Sequence, residues 1–200
     1  MAYIIGAILG YFLGCINMAN IISKSRGIDI KKVGSNNAGA SNVFISVGKM
    51  YGVAVGVFDI LKAFSAAGII YIIFSNNLLA AIIAGAMAVM GHIFPFWMKF
   101  NGGKGLAPFM GLVLFYDWKL FIVFALLIVA ITLITDFIGI GALTVTVLLP
   151  VYAAFFRDEI AIALIFTVVS TVMWCKHIEN IKRIANGTEI GFLRKNKIKK

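Results

Sequence analysis

The chain has 200 residues, of which 62% are hydrophobic and 13% are charged, and its mean hydropathy is +1.00. Soluble domains are about 45–50% apolar, so this composition excludes a soluble protein and indicates an integral membrane protein. The formal net charge is +10. Because basic residues collect on the cytoplasmic loops of membrane proteins and face anionic lipid there, we do not interpret this charge as a sign of nucleic-acid binding.

Seven apolar segments follow one another along the chain, and a helix of about 20 such residues is long enough to cross the hydrocarbon core. The segments are 2–22, 51–74, 78–98, 105–116, 119–135, 139–156 and 159–175. They predict an all-α, polytopic membrane protein with about seven transmembrane helices. Since the sequence contains no internal repeat or low-complexity stretch, we expect a single membrane-embedded domain over residues 1–200, with 176–200 as a basic cytoplasmic tail.

The positions of Lys and Arg predict the orientation of these helices. The first positive charges, Lys24 and Arg26, follow the first segment, which is typical of an uncleaved helix with its N-terminus outside and not of a signal peptide. With the 23–50 loop inside, only Lys119 and Arg157 of the 18 Lys and Arg lie outside, and Lys62 lies within a helix. This asymmetry places the C-terminus in the cytoplasm.

The fourth segment, 105–116, is too short for a full crossing. At about 1.5 Å per residue it reaches about 18 Å, whereas the hydrocarbon core is about 30 Å thick. It is either a half-helix or the continuation of a Gly-rich stretch that dips below the membrane surface. Irregular backbone at such depth is tolerated only where it is buried in protein or lines a wet cavity, so this segment favours a site recessed into the cytoplasmic face.

Three segments rich in Gly, Asn and charged residues interrupt the apolar sequence, and they are 33–43, 91–105 and 176–189. The predicted orientation places all three in the cytoplasm. Apolar helices do not need such polar segments merely to be connected. We therefore interpret the three segments as an active site with cytoplasmic Gly-rich loops, and the helices as its scaffold.

The first two segments have the composition of phosphate-binding loops. Glycines permit positive φ, so that successive backbone N–H groups can converge on an anion, although an ordinary flexible loop is the alternative for 33–43. The stretch 101–105 adds Lys104 and leads into the fourth apolar segment, so that it can form a helix N-terminus, which is a natural phosphate site. It lacks the GxxxxGK[ST] pattern of a P-loop because Gly105 and then Leu106 follow Lys104, which excludes nucleotide hydrolysis.

His92 and His177, the two histidines of the chain, are candidates for proton transfer or for orienting a substrate, and packed or membrane-edge histidines are the alternative. His177 and Asn180 are three residues apart and therefore share a helix face. Neither histidine has the spacing to Cys or to another His that metal ligands show, so we predict no metal and no cofactor.

Two further pairs of residues carry structural expectations. Asp59 and Lys62 are three residues apart within the second apolar segment, where ionisable residues are costly, so we expect them to pair with each other toward the interior. Cys15 and Cys175 lie in or beside apolar segments, so we expect both to be small buried residues, and neither to form a disulfide or a metal site.

The three polar segments, in this order and on this helical scaffold, resemble the motifs of the bacterial acyl-phosphate:glycerol-3-phosphate acyltransferases, the PlsY family. Residues 34–45 resemble the family pattern GSGNxGATNVxR, residues 91–108 resemble GHxFPxFxxFxGGKGVAT, and residues 176–189 resemble RHxxNIxRLxxGxE. The resemblance runs from end to end of the chain. It implies one acyltransferase domain over residues 1–200, in the bacterial inner membrane, with its active site facing the cytoplasm.

The resemblance implies the transfer of an acyl group from an acyl phosphate to the 1-hydroxyl of glycerol 3-phosphate, the first acylation of phospholipid synthesis. An acyl phosphate is already activated, so the site needs anion donors, a proton acceptor and electrostatic help for the leaving phosphate, but no enzyme nucleophile. The implied partners are these two substrates and membrane lipid. A further partner is expected at the basic tail 195–200. It is either anionic lipid or a soluble acyl-phosphate-forming enzyme that docks on the tail.

The resemblance also assigns roles to residues. His92 or His177 orients the acceptor or shuttles its proton, unless a substrate phosphate takes that proton itself, and Asn180 holds a substrate oxygen. The implied catalytic residues are His92, Lys104, His177 and Asn180. The implied substrate- and phosphate-binding residues are Gly34, Ser35, Asn37, Gly39, Ser41, Asn42, Gly102, Gly103, Gly105 and Glu189.

Several positions depart from the family pattern. Asn36 replaces a Gly, Ile45 an Arg and Pro108 a Thr, and the family tends to carry Arg, Ser and Ser at the positions of Asp136, Gly139 and Ala142. Each charge-assisted hydrogen bond lost in this way matters by about 1.5–3 kcal/mol. A diverged paralogue that acylates another acceptor, or a non-catalytic partner, is therefore the second hypothesis. A transporter of an anionic metabolite is the third, although the chain lacks the repeated halves typical of transporters.

Overall fold

The computed structural model describes residues 1–192. Its helices are α1 (Ala2–Gly14), α2 (Met18–Ser25), α3 (Ala40–Ser46), α4 (Lys49–Ile73), α5 (Leu78–Ile93), α6 (Leu106–Tyr116), α7 (Trp118–Thr135), α8 (Ile138–Phe155) and α9 (Ile160–Ala185). A short 3-10 helix, Phe96–Met98, follows α5. No β-strand occurs in residues 1–192, and the prediction of an all-α protein is confirmed. The basic tail 195–200 lies outside the described residues.

Within the described residues, six stretches are long and apolar enough to cross a membrane. They are Ala2–Ser25, Lys49–Ile73, Leu78–Met98, Trp118–Thr135, Ile138–Phe155 and Ile160–Ala185. The remaining predicted segment forms α6, an apolar helix of only 11 residues, as the length of 105–116 indicated. The series of apolar helices is therefore confirmed, with α6 as the short member, and their orientation across the membrane stays a prediction.

The first predicted span, 2–22, consists of two helices and not one. α1 ends at Gly14, and α2 starts after Asn17, whose side-chain Oδ1 accepts a hydrogen bond from the backbone N–H of Asn20 at 2.8 Å. Asn is a preferred N-cap residue, so it starts a new helix inside an apolar stretch. The apolar composition on both sides of the break is the reason that the sequence predicts one continuous helix.

Contacts divide the chain into two compact units, residues 1–119 and residues from 120 onward. In the first unit, α1 lies along α5, and α4 packs against α1, α5 and α6. In the second unit, α8 packs against α9, and Gly141 of α8 lies against Ile128 of α7. The first two polar segments belong to the first unit, and the third belongs to the second.

Small residues set the spacing between α1 and α5. Both helices carry a small residue at every fourth position. On α1 these are Gly6, Gly10 and Gly14, and they face Ala80, Ala84 and Ala88 of α5 in that order. A Cβ added to Gly14 would overlap the backbone of Ala88, and one added to Gly10 would overlap the backbone of Ala84. Small residues allow this close approach of backbones, and the resulting van der Waals packing favours helix association inside a membrane.

Gly14→Ala is expected to destabilise the protein by about 1–3 kcal/mol, because the added methyl group overpacks the contact with α5. The matched control is Gly68→Ala on α4, where an added Cβ meets nothing within 4 Å. That variant is expected to be neutral or slightly more stable, since Ala is a better helix former than Gly. Thermal unfolding of the detergent-solubilised variants measures the difference, and equal loss of stability in both would contradict the packing argument.

Candidate active site

Asn42 of α3 holds the first polar segment in shape. Its side chain is buried, with 2% of its surface exposed. Its amide nitrogen lies 3.0–3.1 Å from the carbonyl oxygens of Ile30, Val33 and Asn37, and its Oδ1 accepts from Ser35 N and Ser46 Oγ, both at 3.1 Å. Both the nitrogen and the oxygen of the Asn42 amide therefore bond within the protein, and these bonds stabilise the loop conformation.

Two positions of this loop require a left-handed backbone. Gly34 has φ +57°, and a Cβ there would overlap Asn42 Oδ1, so only glycine fits. Asn36 has φ +55°. Asn is one of the few non-glycine residues that visit this conformation readily. The replacement of the family's Gly by Asn36 therefore keeps the backbone geometry of the loop.

The other predicted residues of the first segment surround this loop. Gly39 is the buried N-cap of α3, with its N–H donating to Asn37 O at 3.0 Å. Ser35 and Asn37 are half-buried, whereas Ser41 is exposed on α3. The segment is an ordered loop in the structure, with a compact hydrogen-bond network and not an extended linker.

The second polar segment folds back over the end of α5. Gly102 N donates to Ile93 O at 2.9 Å, and Gly103 N donates to His92 O at 3.1 Å. A Cβ on Gly102 would overlap the carbonyl of His92, and one on Gly103 would overlap His92 Nε2. The two glycines are therefore required for the loop to lie directly on the His92 ring and backbone.

The first and second segments meet within the first unit. Lys31, two residues before the first segment, donates through Nζ to Asn101 Oδ1 at 3.0 Å and to Gly102 O at 2.9 Å. A Cβ on Gly103 would lie 3.0 Å from Ala38 O, so Gly103 also touches the first segment. The sequence gives no signal for this contact of Lys31, because nothing local links a lysine to a loop 70 residues away.

The loop leads directly into the N-terminus of α6. Gly105 is the N-cap of α6 and has φ +94°, a conformation that favours glycine. Half-buried Lys104 precedes it. Pro108 falls in the first turn, where a backbone N–H has no partner within the helix, so the proline is compatible with α6 but removes one donor from its N-terminus.

A buried charged cluster lies beneath this loop. Lys62 Nζ is 2.7 Å from Asp59 Oδ1, 2.9 Å from His92 Nδ1 and 3.0 Å from Ile16 O. The side chains of Lys62 and Asp59 are 3% and 2% exposed. The predicted pairing of Asp59 with Lys62 is confirmed, and its connection to His92 is an addition that spacing along one helix could not indicate.

The third segment belongs to the second unit and places both of its predicted polar residues on the buried face of α9. His177 Nδ1 lies 2.8 Å from Met173 O. A carbonyl oxygen only accepts, so the Nδ1 of His177 carries the hydrogen and Nε2 carries the lone pair. Asn180 is buried three residues further along the same face, as predicted.

Glu189 folds back onto α9 and is held by two donors. Its Oε1 accepts from Asn180 Nδ2, and its Oε2 accepts from Arg183 Nε. Gly187, with φ +68°, makes the turn that brings Glu189 there. In this structure the Glu189 carboxylate orients Asn180.

Gly139 marks where α8 approaches this group. A Cβ on Gly139 would lie 3.7 Å from His177 Cδ2 and 4.0 Å from Asn180 Cβ, which is ordinary contact distance. A serine, the residue of the family pattern, therefore fits beside His177, whereas this chain has no side chain there.

The cysteines do not both follow the expectation. Cys15 is buried as predicted, but Cys175 is exposed, because it lies off the buried stripe of α9 that contains Met173 and His177. Among the described residues, no three His, Cys, Asp or Glu side chains come together as a metal site would require.

Comparison with known proteins gives the family. The sequence profile described as glycerol-3-phosphate acyltransferase matches residues 4–187. The chain is 37% identical over 190 residues to the glycerol-3-phosphate acyltransferase of Brucella canis, covering 94% of this chain and 92% of that protein. It is 34% identical over 198 residues to glycerol-3-phosphate acyltransferase 1 of Oceanobacillus iheyensis, covering 94% of each.

Solved structures agree with the sequence matches. The crystal structure of PlsY (YgiH), an integral membrane glycerol 3-phosphate acyltransferase, in its glycerol 3-phosphate form has a TM-score of 0.89 at 29% identity and covers 96% of each chain. The lysophosphatidic acid form has a TM-score of 0.86 at 29% identity, covering 96% of this chain and 95% of that one. The fold is thus that of a multi-pass integral membrane enzyme. The chain belongs to the glycerol-3-phosphate acyltransferase family, and the resemblance seen in the motifs is confirmed.

Asn36→Gly is expected to keep glycerol 3-phosphate acylation within about twofold of the parent, since both residues accept the left-handed backbone. Asn36→Val is expected to lower it at least tenfold, because that backbone costs about 1–2 kcal/mol for an ordinary side chain and more for a β-branched one. Acylation of labelled glycerol 3-phosphate in detergent micelles provides the measurement. Equal activity of the two variants would show that the left-handed backbone at Asn36 does not matter.

Proposed function

We propose that this protein transfers an acyl group from an acyl phosphate to the 1-hydroxyl of glycerol 3-phosphate. The products are 1-acyl-glycerol 3-phosphate, which is lysophosphatidic acid, and phosphate, in the first acylation of phospholipid synthesis. The observation that carries the proposal is the likeness over 96% of the chain to a protein crystallised in glycerol 3-phosphate and lysophosphatidic acid forms.

The glycine loops of the first unit support binding of the two phosphates. Backbone N–H groups at a helix N-terminus attract anions, and the loop 102–105, which contains Lys104, leads into α6. We assign Gly34, Ser35 and Gly39, together with Gly102 to Gly105, to the phosphate site. The N–H groups of Ser35, Gly39, Gly102 and Gly103 bond within the protein, so these residues shape the loops of that site. Lys104 is assigned to charge stabilisation of the leaving phosphate. Asn37 and Ser41 are assigned to substrate contacts, and Asn42 to holding the loop.

The reaction needs a proton acceptor but no enzyme nucleophile. The 1-hydroxyl oxygen attacks the acyl carbon, the bond from that carbon to the phosphate oxygen breaks, and the hydroxyl proton goes to a base. Two acceptors fit: His177 Nε2, which carries the lone pair because Nδ1 faces Met173 O, or a phosphate oxygen of a substrate. Asn180, held by Glu189, is assigned to a substrate oxygen.

The charge distribution supports an active site that faces the cytoplasm of the bacterial inner membrane, because the polar segments fall on the side with nearly all Lys and Arg. On the same argument, the tail residues 195–200 are proposed to bind anionic lipid, with a soluble acyl-phosphate-forming enzyme as the alternative partner.

The departures from the family pattern are compatible with this activity. Asn36 preserves the loop backbone, Pro108 fits the first turn of α6, and the space at Gly139 leaves room for a substrate or water beside His177. The paralogue with another acceptor stays the second hypothesis, because Ile45 and Asp136 replace two cations of the pattern.

Lys104→Ala is expected to abolish acyl transfer from palmitoyl phosphate to glycerol 3-phosphate while the protein stays folded, because it removes the point charge beside the loop. Lys99→Asn is the matched control, since it removes a charge from the same segment and Asn accepts the φ of +52° found at Lys99. Labelled lysophosphatidic acid and released phosphate are measured together. Full turnover by Lys104→Ala would reject the role of Lys104.

Absence of product from folded parent protein would reject the proposed reaction and lead to a screen of other acceptors. Uptake of glycerol 3-phosphate into sealed vesicles without acylation would instead favour the transporter.

Lys31→Met is expected to lower kcat/KM for glycerol 3-phosphate at least about fivefold, because it removes two hydrogen bonds to the second segment, each worth about 0.5–1.5 kcal/mol. Lys32→Met removes an equal charge at a side chain that is 82% exposed, and it is the control. An equal effect of both variants would mean that Lys31 acts only through its charge.

A further inference from the structure

The buried ammonium group of Lys62 makes hydrogen bonds to His92 Nδ1 and Ile16 O and an ion pair with Asp59 Oδ1. Its Nζ lies within 3.0 Å of Asp59 Oδ1, His92 Nδ1 and Ile16 O. An ammonium group has three N–H donors and accepts nothing. Since Lys62 donates along the 2.9 Å contact, the Nδ1 of His92 is the acceptor. Asp59 Oδ1 lies further from that nitrogen, at 3.4 Å.

This contact decides where the hydrogen of the His92 ring lies. When one ring nitrogen accepts, the neutral imidazole carries its hydrogen on the other, here Nε2. Nε2 is also the atom that a Cβ on Gly103 would overlap, so it lies against the glycine loop. His92 therefore presents an N–H toward the loop that we assign to phosphate, whereas His177 has the opposite tautomer.

We propose that Lys62, held by Asp59, is a positioning residue that keeps His92 as an Nε2–H donor directed at the loop 102–104. In this arrangement His92 orients an anion and does not take the proton of the acceptor hydroxyl. The proposal rests on the proposed function only in naming that anion as a substrate phosphate.

The fold alone does not require a charged pair at this place. Two buried charges lose their hydration, and an apolar pair of similar volume packs helices as well or better. An apolar side chain at position 62 cannot donate to Nδ1, and without that donor the ring can exchange between tautomers. Lys62 also bonds Ile16 O, so the test has to separate positioning of His92 from support of the break between α1 and α2.

The first test measures the tautomer of His92 directly and does not depend on enzyme activity. Nitrogen-15 NMR of protein labelled at its two histidines, in lipid nanodiscs at neutral pH, distinguishes protonated from unprotonated ring nitrogens, and a His177→Asn sample leaves only the His92 signals. We expect an unprotonated Nδ1 and a protonated Nε2 in His92, and a mixture of tautomers in Lys62→Met. A protonated Nδ1 in the parent would overturn the proposal, whatever the activity of the protein.

The second test compares two double variants. Asp59→Leu/Lys62→Met replaces the buried pair by apolar side chains of similar size, and it is expected to stay folded and to lose at least tenfold in kcat. Glu179→Gln/Lys182→Gln removes an exposed pair of the same i,i+3 spacing, 72% and 66% exposed, and is expected to leave kcat unchanged. A folded apolar variant with unchanged kcat would show that the buried pair is only structural.

Substitution of His92 itself tests which ring nitrogen matters. Gln places its amide near the position of Nε2, whereas Asn places it near Nδ1. His92→Gln is therefore expected to retain at least tenfold more activity than His92→Asn. Equal loss in both would oppose the donor role, and inactivity of the parent would reject the proposed function while the NMR result still decides the tautomer.

Discussion

Backbone carbonyl groups that lose their helical partners inside an apolar span must be bonded by something else, and the first unit is organised around this constraint. The break between α1 and α2 exposes such groups at Cys15 and Ile16. Trp97 Nε1 donates to Cys15 O at 2.7 Å, and Lys62 donates to Ile16 O. The donors come from α4 and from the segment after α5, so the break joins three parts of the first unit at the level of the second polar segment.

The same region shows why the second segment needs its glycines. Gly102 and Gly103 lie so close to His92 that no Cβ fits at either position, and Gly105 turns the chain into α6 with a positive φ. The result is a loop that rests on a buried imidazole and ends at a helix N-terminus. A loop with side chains at these positions would be lifted from the ring, and the hydrogen bonds of Gly102 N to Ile93 O and of Gly103 N to His92 O would be lost.

Three of the departures from the family pattern fit the local structure at their positions. Asn36 occupies a left-handed position that Gly or Asn can accept, Pro108 falls where a helix has no need of its N–H, and Gly139 leaves space beside His177. These changes alter donors and hydroxyl groups, and each is compatible with the backbone at its own position. Ile45, exposed on α3, has no structural explanation of this kind.

The sequence by itself determined the apolar helices, the short α6 and the polar segments, because span length, hydrophobicity and glycine content are local properties. It also determined the pairing of Asp59 with Lys62, since residues three apart on a helix are neighbours. Only the tertiary structure decided the contacts of Lys62 with His92 and Ile16, of Lys31 with the glycine loop, and of Glu189 with Asn180. These contacts arise from chain folding, which brings distant residues to one place, and the contact of Lys62 with His92 determines which ring nitrogen of His92 donates.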